Sequence, residues 1–204
     1  MPREIKITVY MFDDLSAKAK EKARQWFRES LGNDDGFHEP VYEDAKQCLA
    51  LAGFTIDRIF YSGFSSQGDG ACFEGGWKAE DVEPGKLKAH APLDTTLHRI
   101  AGTMEDIARR YPSAWMRVKH SGHYYHKYET VFDVVETVDD MPNGAEIPGD
   151  IVDAIKETSR DAMEWIYNQL EKEWSFQNSD DTVDENIRAN EYEFDVDGRR
   201  NRYA

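Results

Sequence analysis

A glycine-rich segment, residues 62–71, has the composition of a ligand-binding loop; it reads Ser-Gly-Phe-Ser-Ser-Gln-Gly-Asp-Gly-Ala. Glycine allows main-chain amides to approach a ligand closely or to adopt a positive φ. The polar side chains supply hydroxyl, amide and carboxylate groups; they are Ser65, Ser66, Gln67 and Asp69. The segment lacks the Gly-Lys-Ser/Thr ending of a phosphate loop, and Asp69 would repel a phosphate. The sequence predicts a site for a polar group, with one alternative left open, that Asp69 caps neighbouring amides in a plain turn.

A second cluster, residues 120–126, reads His-Ser-Gly-His-Tyr-Tyr-His and combines three imidazoles with two phenols. Three histidines are enough to bind zinc. On a hairpin, however, alternation directs His123 and Tyr125 to one face and His126 to the other, which separates the ligands. We therefore expect no metal or cofactor here. The segment instead predicts a polar aromatic surface that stacks on a ligand.

The same residues allow an enzymatic alternative. Asp69 and one histidine of the cluster, His120, His123 or His126, would act as acid and base, with or without a bound metal ion. A loop serine would then be the nucleophile. Residues 63–67 lack the second glycine of a Gly-x-Ser-x-Gly motif, however. Binding without catalysis is therefore the favoured interpretation.

The charge of the chain limits its partners. Its 204 residues include 40 acidic and 25 basic ones, a formal net charge of −15. Direct binding to a nucleic-acid backbone needs local positive charge, so we do not expect it. An acidic mimic of nucleic acid remains an alternative, although the scattered acids favour a solvated surface. The two cysteines, Cys48 and Cys72, are too few for a disulfide scaffold or a zinc site and are predicted to be packing thiols.

Strands must position both segments. Residues 54–61 and 71–77 are strand-like and flank the first segment as a wide hairpin. Residues 114–119 and 123–136 predict a second hairpin that turns at Ser121-Gly122. A further alternating strand is predicted over residues 4–12.

Apolar residues spaced three and four apart predict the helices; these cover 16–32, 40–52 and 93–111, a long C-terminal helix of about six turns from residue 151, and a short turn after 179. Helices and hairpins mix without a regular strand–helix–strand alternation, so we expect an α+β fold, a mainly antiparallel sheet packed against several helices. Residues 1–204 are predicted to form one domain, with a possible sub-boundary in the 139–150 loop. No stretch approaches the roughly 20 apolar residues of a membrane helix, and no apolar signal region opens the chain, so a cytoplasmic location without membrane contact is expected.

Four blocks of the chain resemble, in order, a family of tailed-phage proteins commonly labelled "antitoxin of toxin-antitoxin stability system"; they are residues 12–26, 62–71, 122–126 and 190–198. The resemblance implies a phage or prophage accessory protein, antitoxin-like or anti-defence, in the cytoplasm of a bacterial host. It implies action by binding and brings no catalytic residue with it. The family pattern includes the Ser-Gln-Gly-Asp-Gly and Tyr-Tyr-His segments, which makes Ser66, Gln67, Asp69, Tyr125 and His126 the first candidates.

Together, these observations predict a protein that binds through the 62–71 and 120–126 loops. The expected partner is a host defence or toxin protein, or a small nucleotide-like ligand. The prediction requires that the two loops, distant in sequence, meet in the folded chain.

Overall fold

The computed structural model describes residues 6–31, 36–134 and 147–201. The chain divides into two compact units. The central unit consists of residues 38–171, and the terminal unit combines residues 1–37 with 172–204. The division falls between residues 37 and 38 and between residues 171 and 172. Most of the 139–150 loop, for which the sequence predicted a possible sub-boundary, lies outside the described residues.

A four-stranded sheet forms the frame of the central unit; its strands are β2 (Ala52–Tyr61), β3 (Ala71–Val82), β4 (Trp115–His120) and β5 (Thr130–Val134). They lie side by side in the order β2-β3-β4-β5, and each neighbouring pair is antiparallel. This confirms the predicted antiparallel sheet of hairpins.

The first hairpin is the one predicted. Tyr61 pairs with Ala71, so the chain leaves β2 and enters β3 at neighbouring positions around the 62–70 loop. The close register brings the ends of the glycine-rich segment together.

The second hairpin differs from its prediction. His120 pairs with Thr130, so residues 121–129 form a loop where a tight turn and a strand from residue 123 were expected. Local turns take the place of the strand ladder there, since the His126 N–H donates to Tyr124 O and the Glu129 N–H to His126 O, each at 2.9 Å.

Within its described residues, the central unit contains four helices wholly or in part; they are α2 (His38–Ala50), α3 (Lys86–His90), α4 (Thr95–Arg110) and α5 (Gly149–Gln177). The long α5 and the amphipathic α4 confirm their predictions. Asp94 begins α4 as its N-cap, because its Oδ1 accepts from the Leu97 N–H at 2.9 Å. The short α3 was not predicted, since five residues in a polar segment carry too little periodicity.

The core of the central unit lies between the sheet and these helices. Trp77 of β3 is fully buried, and its indole N–H donates to Ala52 O at 2.9 Å. Met116 of β4 is buried as well, and the hydroxyl of Ser159 in α5 lies 3.3 Å from its sulfur. Sheet and helix are thus in direct contact.

The terminal unit contains α1 (Ala17–Leu31), α6 (Asp180–Ala189) and a two-stranded sheet of β1 (Tyr10–Met11) and β6 (Glu193–Phe194). The strand predicted over residues 4–12 is wrong in length, since residues 6–9 are not strand and the pairing with β6 covers only two residues. Residues 4 and 5 lie outside the described residues.

Apolar residues from both ends of the chain form the core of the terminal unit; they are Phe12, Leu15, Ala19, Ala23, Phe27, Val183, Ile187 and Phe194. The Arg24 guanidinium joins α1 to α6, with Nε 2.6 Å and Nη2 2.8 Å from the two carboxylate oxygens of Asp184. Among the helices in the described parts of the chain, none is sufficiently long and apolar to span a membrane.

Candidate functional site

The 62–70 loop is held by its own hydrogen bonds. The Ser62 N–H donates to Gly70 O at 3.0 Å and closes the loop at its base. Oδ2 of Asp69 accepts from the N–H groups of Ser65 and Ser66 at 2.9 and 2.6 Å. The carboxylate that the sequence offered as a ligand group is therefore engaged by the main chain, as in the turn alternative.

The same loop rests on α5. The Tyr167 hydroxyl donates to Gly63 O at 3.1 Å, and the Phe64 and Tyr167 ring centroids are 5.5 Å apart. Partial burial raises the pKa of Tyr167, with a smaller effect from the charge of Asp69. A helix of the scaffold thus fixes one side of the loop.

The 121–129 loop is also closed and anchored. The Ser121 N–H donates to Glu129 O at 3.0 Å, and Nε2–H of His120 donates to Tyr124 O at 3.1 Å. Lys127 forms an ion pair with Glu164 of α5, with 2.7 Å between Nζ and Oε2. Both loops therefore share α5 as a support.

The two loops meet at glycine positions of the first loop. A Cβ built on Gly68 would lie 3.6 Å from Cδ1 of Tyr124. One built on Gly70 would lie only 2.7 Å from Cδ2 of His126 and 3.3 Å from Tyr125 O. Only a residue without a side chain allows the second loop to approach this closely.

Aromatic rings fill the base of the junction. Phe60, at the end of β2, stacks on Tyr125 with 5.2 Å between centroids and lies 5.3 Å from the ring of His120. The Arg58 guanidinium lies 4.5 Å from the Phe60 ring centroid, a cation–π distance. These contacts fix Tyr125 as a partly exposed side chain.

Beside this base, three tyrosines are exposed to solvent. The exposed fractions are 55% for Tyr124, 39% for Tyr125 and 64% for Tyr128. The ring of exposed His123 packs edge-on against Tyr124 at 4.9 Å. We refer to Tyr124, Tyr125, Tyr128 and His123 as the tyrosine surface.

The predicted site residues divide between the two loops. Ser65, Ser66 and Gln67 are exposed at the tip of the first loop. His126 lies at the junction, where its Nδ1 accepts from the Tyr128 N–H at 3.3 Å. In the described part of the chain, no hydrogen bond joins Asp69 to a histidine of the second loop.

Possible metal ligands converge elsewhere in the central unit. Within the described ranges, one group of potential ligands has its atoms mutually within 4.8 Å, and it consists of Asp44, Cys48 and His90. The 120–126 histidines are not part of it. Cys48 and Cys72 are both buried, and burial raises the pKa of Cys48 to about 11 and that of Cys72 to about 12.

Sequence reasoning missed a groove of about 790 Å³ on the sheet. The groove is lined by Thr55, Asp57, Gly75, Gly76, Trp77, Lys78, Glu80 and residues 112–117. The feature of the sequence that could have indicated the groove is the Gly75-Gly76 pair. A Cβ on Gly75 would lie 2.0 Å from Thr55 O, so this position requires glycine. Trp115 at the groove is 40% exposed.

A second concave region, of about 620 Å³, lies within the terminal unit. Its lining residues come from both chain ends; they are Ile7, Thr8, Val9, Lys22, Trp26, Asp195 and residues 198–201. Neither predicted loop contributes to it.

A family model described as "Domain of unknown function (DUF8835)" matches residues 37–180. The matched range contains the whole central unit and both loops. No curated protein and no solved structure matches the chain.

Proposed function

The chain belongs to the DUF8835 family, and we propose that it is an accessory protein that binds a host-derived protein through the tyrosine surface. The observation that carries the proposal is the exposure of three tyrosines within five residues, on a loop that contacts a second loop. Tyrosine offers a large, rigid, amphipathic contact area at low cost in conformational entropy, and it is enriched among the residues that dominate binding energy.

Support for both loops from the scaffold strengthens the proposal. Tyr167 and Glu164 of α5 each bind one loop, and β-strands fix the loop ends. A surface that is already ordered loses little conformational entropy when a partner binds. Rigid loops on a scaffold are a common location for binding residues.

The hydrogen bonds of Asp69 favour a protein partner over a nucleotide-like ligand. The Ser65 and Ser66 amides are the main-chain donors that a phosphate would use, and the carboxylate of Asp69 already accepts from both. A phosphate would have to displace this tethered carboxylate and overcome its charge.

The same contacts disfavour the hydrolase alternative in which His120 or His126 acts with Asp69. A general base needs a carboxylate or imidazole atom directed at the substrate. Oδ2 of Asp69 points into its own loop, Nε2 of His120 binds Tyr124 O, and Nδ1 of His126 binds the Tyr128 N–H.

The phage origin of the proposal comes from the resemblance of four sequence blocks to tailed-phage proteins. An antitoxin-like or anti-defence protein acts by occupying a host protein, and a rigid tyrosine-rich surface suits that role. The host lysate is therefore the first place to search for the partner.

Photo-crosslinking tests the proposal directly. A photoreactive phenylalanine replaces Tyr124 in the full chain, which is incubated with bacterial host lysate, irradiated and analysed by mass spectrometry. The matched control carries the same residue at Leu93, which is 93% exposed in the same unit. We expect a protein that crosslinks at position 124 and not at position 93.

The purified partner then allows a quantitative check. We expect Tyr124→Ala and Tyr125→Ala each to weaken binding by roughly tenfold or more, while Leu93→Ala has little effect. Thermal melts show whether each variant is folded. Identical crosslinks at both positions, or unchanged affinity of folded Tyr124→Ala and Tyr125→Ala, would contradict the proposal.

A further inference from the structure

Three side chains of different chemistry converge on one side of α2. Asp44 and Cys48 lie one helical turn apart and therefore share a helix face. His90 is the last residue of α3. One potential ligand atom from each side chain lies within 4.8 Å of the other two.

The geometry is close to that of a metal site. Zinc–ligand bonds of about 2.0 to 2.3 Å place the ligand atoms of a tetrahedral site roughly 3 to 4 Å apart. Cys48 Sγ and Asp44 Oδ1 are already 3.9 Å apart. The remaining distances need only a modest rotation of exposed side chains, since Asp44 and His90 are both at the surface.

The ligand types narrow the choice of ion. A thiolate, an imidazole and a carboxylate together form a set that zinc accepts, whereas calcium and magnesium prefer oxygen ligands. The thiol of Cys48 is on the buried side of the group, and the other two side chains are on the solvent side. A water molecule can therefore complete a tetrahedron from outside.

The ring of His90 is exposed and therefore accessible to an ion from solvent. In the described part of the chain, its ring has no hydrogen-bond or ion-pair partner, although it lies beside a carboxylate and a thiol. By contrast, the ring of His98 donates from Nε2 to Ala91 O at 2.8 Å.

We propose that Asp44, Cys48 and His90 bind one zinc ion, with water as the fourth ligand. The ion would join α3 to α2 and thereby fix the connection between β3 and α4. The site does not involve the tyrosine surface, so it can be tested independently of the proposed function.

Cobalt(II) is a suitable probe because it occupies tetrahedral zinc sites and reports its ligands by absorption. The full chain is stripped of metal, kept reduced with a phosphine and titrated with cobalt(II). We expect one equivalent to produce a sulfur-to-cobalt charge-transfer band and intense visible bands, which zinc then removes. We also expect zinc to raise the melting temperature, because it binds the folded chain.

Matched variants identify the ligands. Cys48→Ala should abolish the charge-transfer band, whereas Cys72→Ala, which removes the other buried thiol, should retain it. Asp44→Asn and His90→Gln should each weaken cobalt binding by roughly tenfold or more, and His123→Gln should not. A band that persists in Cys48→Ala, or that is absent at one equivalent in the wild type, would overturn the proposal.

A measurement on the unmodified chain guards against variants that fail to fold. Zinc X-ray absorption of the loaded wild type should show one sulfur and three nitrogen or oxygen neighbours. A shell without sulfur would overturn the proposal irrespective of the variants.

Discussion

Asp69 illustrates how one residue changes the interpretation of a loop. Its sequence context suits either a ligand contact or a turn cap, and only the hydrogen bonds from the Ser65 and Ser66 amides distinguish the two. Asp69 is thus an organising residue that ties the first loop to its own main chain.

Gly70 is the residue on which the approach of the two loops depends. We expect Gly70→Ala to lower the free energy of unfolding by about 1 to 3 kcal/mol, because its Cβ would lie 2.7 Å from the His126 ring and 3.3 Å from Tyr125 O. Urea denaturation measures the loss. Hydrogen exchange should show faster exchange in both loops.

Gly102 offers the matched control within the same unit. It lies inside α4, and a Cβ there meets nothing within 4 Å. Gly102→Ala should therefore raise stability by about 0.5 to 1 kcal/mol through better helix propensity. Equal effects of the two substitutions would show that close packing at Gly70 is not the cause.

The candidate site was predictable in composition but not in contacts. Glycines and polar residues indicated the first loop, and clustered histidines and tyrosines indicated the second. Which polar atoms are engaged depends on hydrogen bonds that exist only after folding, as with Asp69 and His126. The approach of His90 to Cys48 was hidden for the same reason, since 42 positions separate them in the sequence.

Among the secondary-structure elements, long helices were predicted well and short strands poorly. The helices α4 and α5 repeat apolar residues over several turns, a signal that local sequence carries by itself. The length of a strand, by contrast, depends on the strand with which it pairs. The strand predicted over residues 4–12 pairs over only two residues, and the one predicted from residue 123 begins at Thr130.

The contact between α1 and α6 makes the terminal unit sensitive to acid. The hydrogen bond from Arg24 holds the pKa of Asp184 below its ordinary value of 3.8, although partial burial acts in the opposite direction. A lowered folded-state pKa contributes stability above the unfolded-state pKa, and this contribution is lost as the pH falls through the folded-state value.

We therefore expect Asp184→Asn to destabilise the terminal unit by about 1 to 3 kcal/mol at neutral pH. The difference from the wild type should shrink as the pH falls below about 4, when Asp184 of the wild type takes up a proton. Urea denaturation at each pH, monitored by circular dichroism, measures this difference in stability. Glu185→Gln, an exposed change on the same helix, should show no such convergence; a constant difference for Asp184→Asn would refute the assignment.

At the scale of the whole molecule, the family match and the central unit nearly coincide. The family model matches residues 37–180, and the central unit spans residues 38–171 with its own sheet and buried core. A unit with an independent core is expected to fold alone. The terminal unit is formed from the segments that precede and follow the central unit in the sequence.

We accordingly expect a fragment of residues 37–180 to fold. Circular dichroism should show a cooperative melt, and the purified partner should bind with affinity close to that of the full chain. A fragment of residues 52–180 is the matched control, because it lacks α2 and its buried side chains Ala45, Cys48 and Leu49. A non-cooperative melt of the longer fragment would mean that the central unit depends on the rest of the chain.

The pairing of Tyr10 with Phe194 sets an order on biosynthesis. At ~5–20 residues per second, a ribosome needs roughly ten to forty seconds to reach β6 after it has made β1. During that interval the nascent chain can complete the central unit, but Phe12 and Phe27 have no C-terminal partners to bury them. The segment that contains β1 is thus made well before its pairing strand, and it can reach its final packing only after β6 has been made.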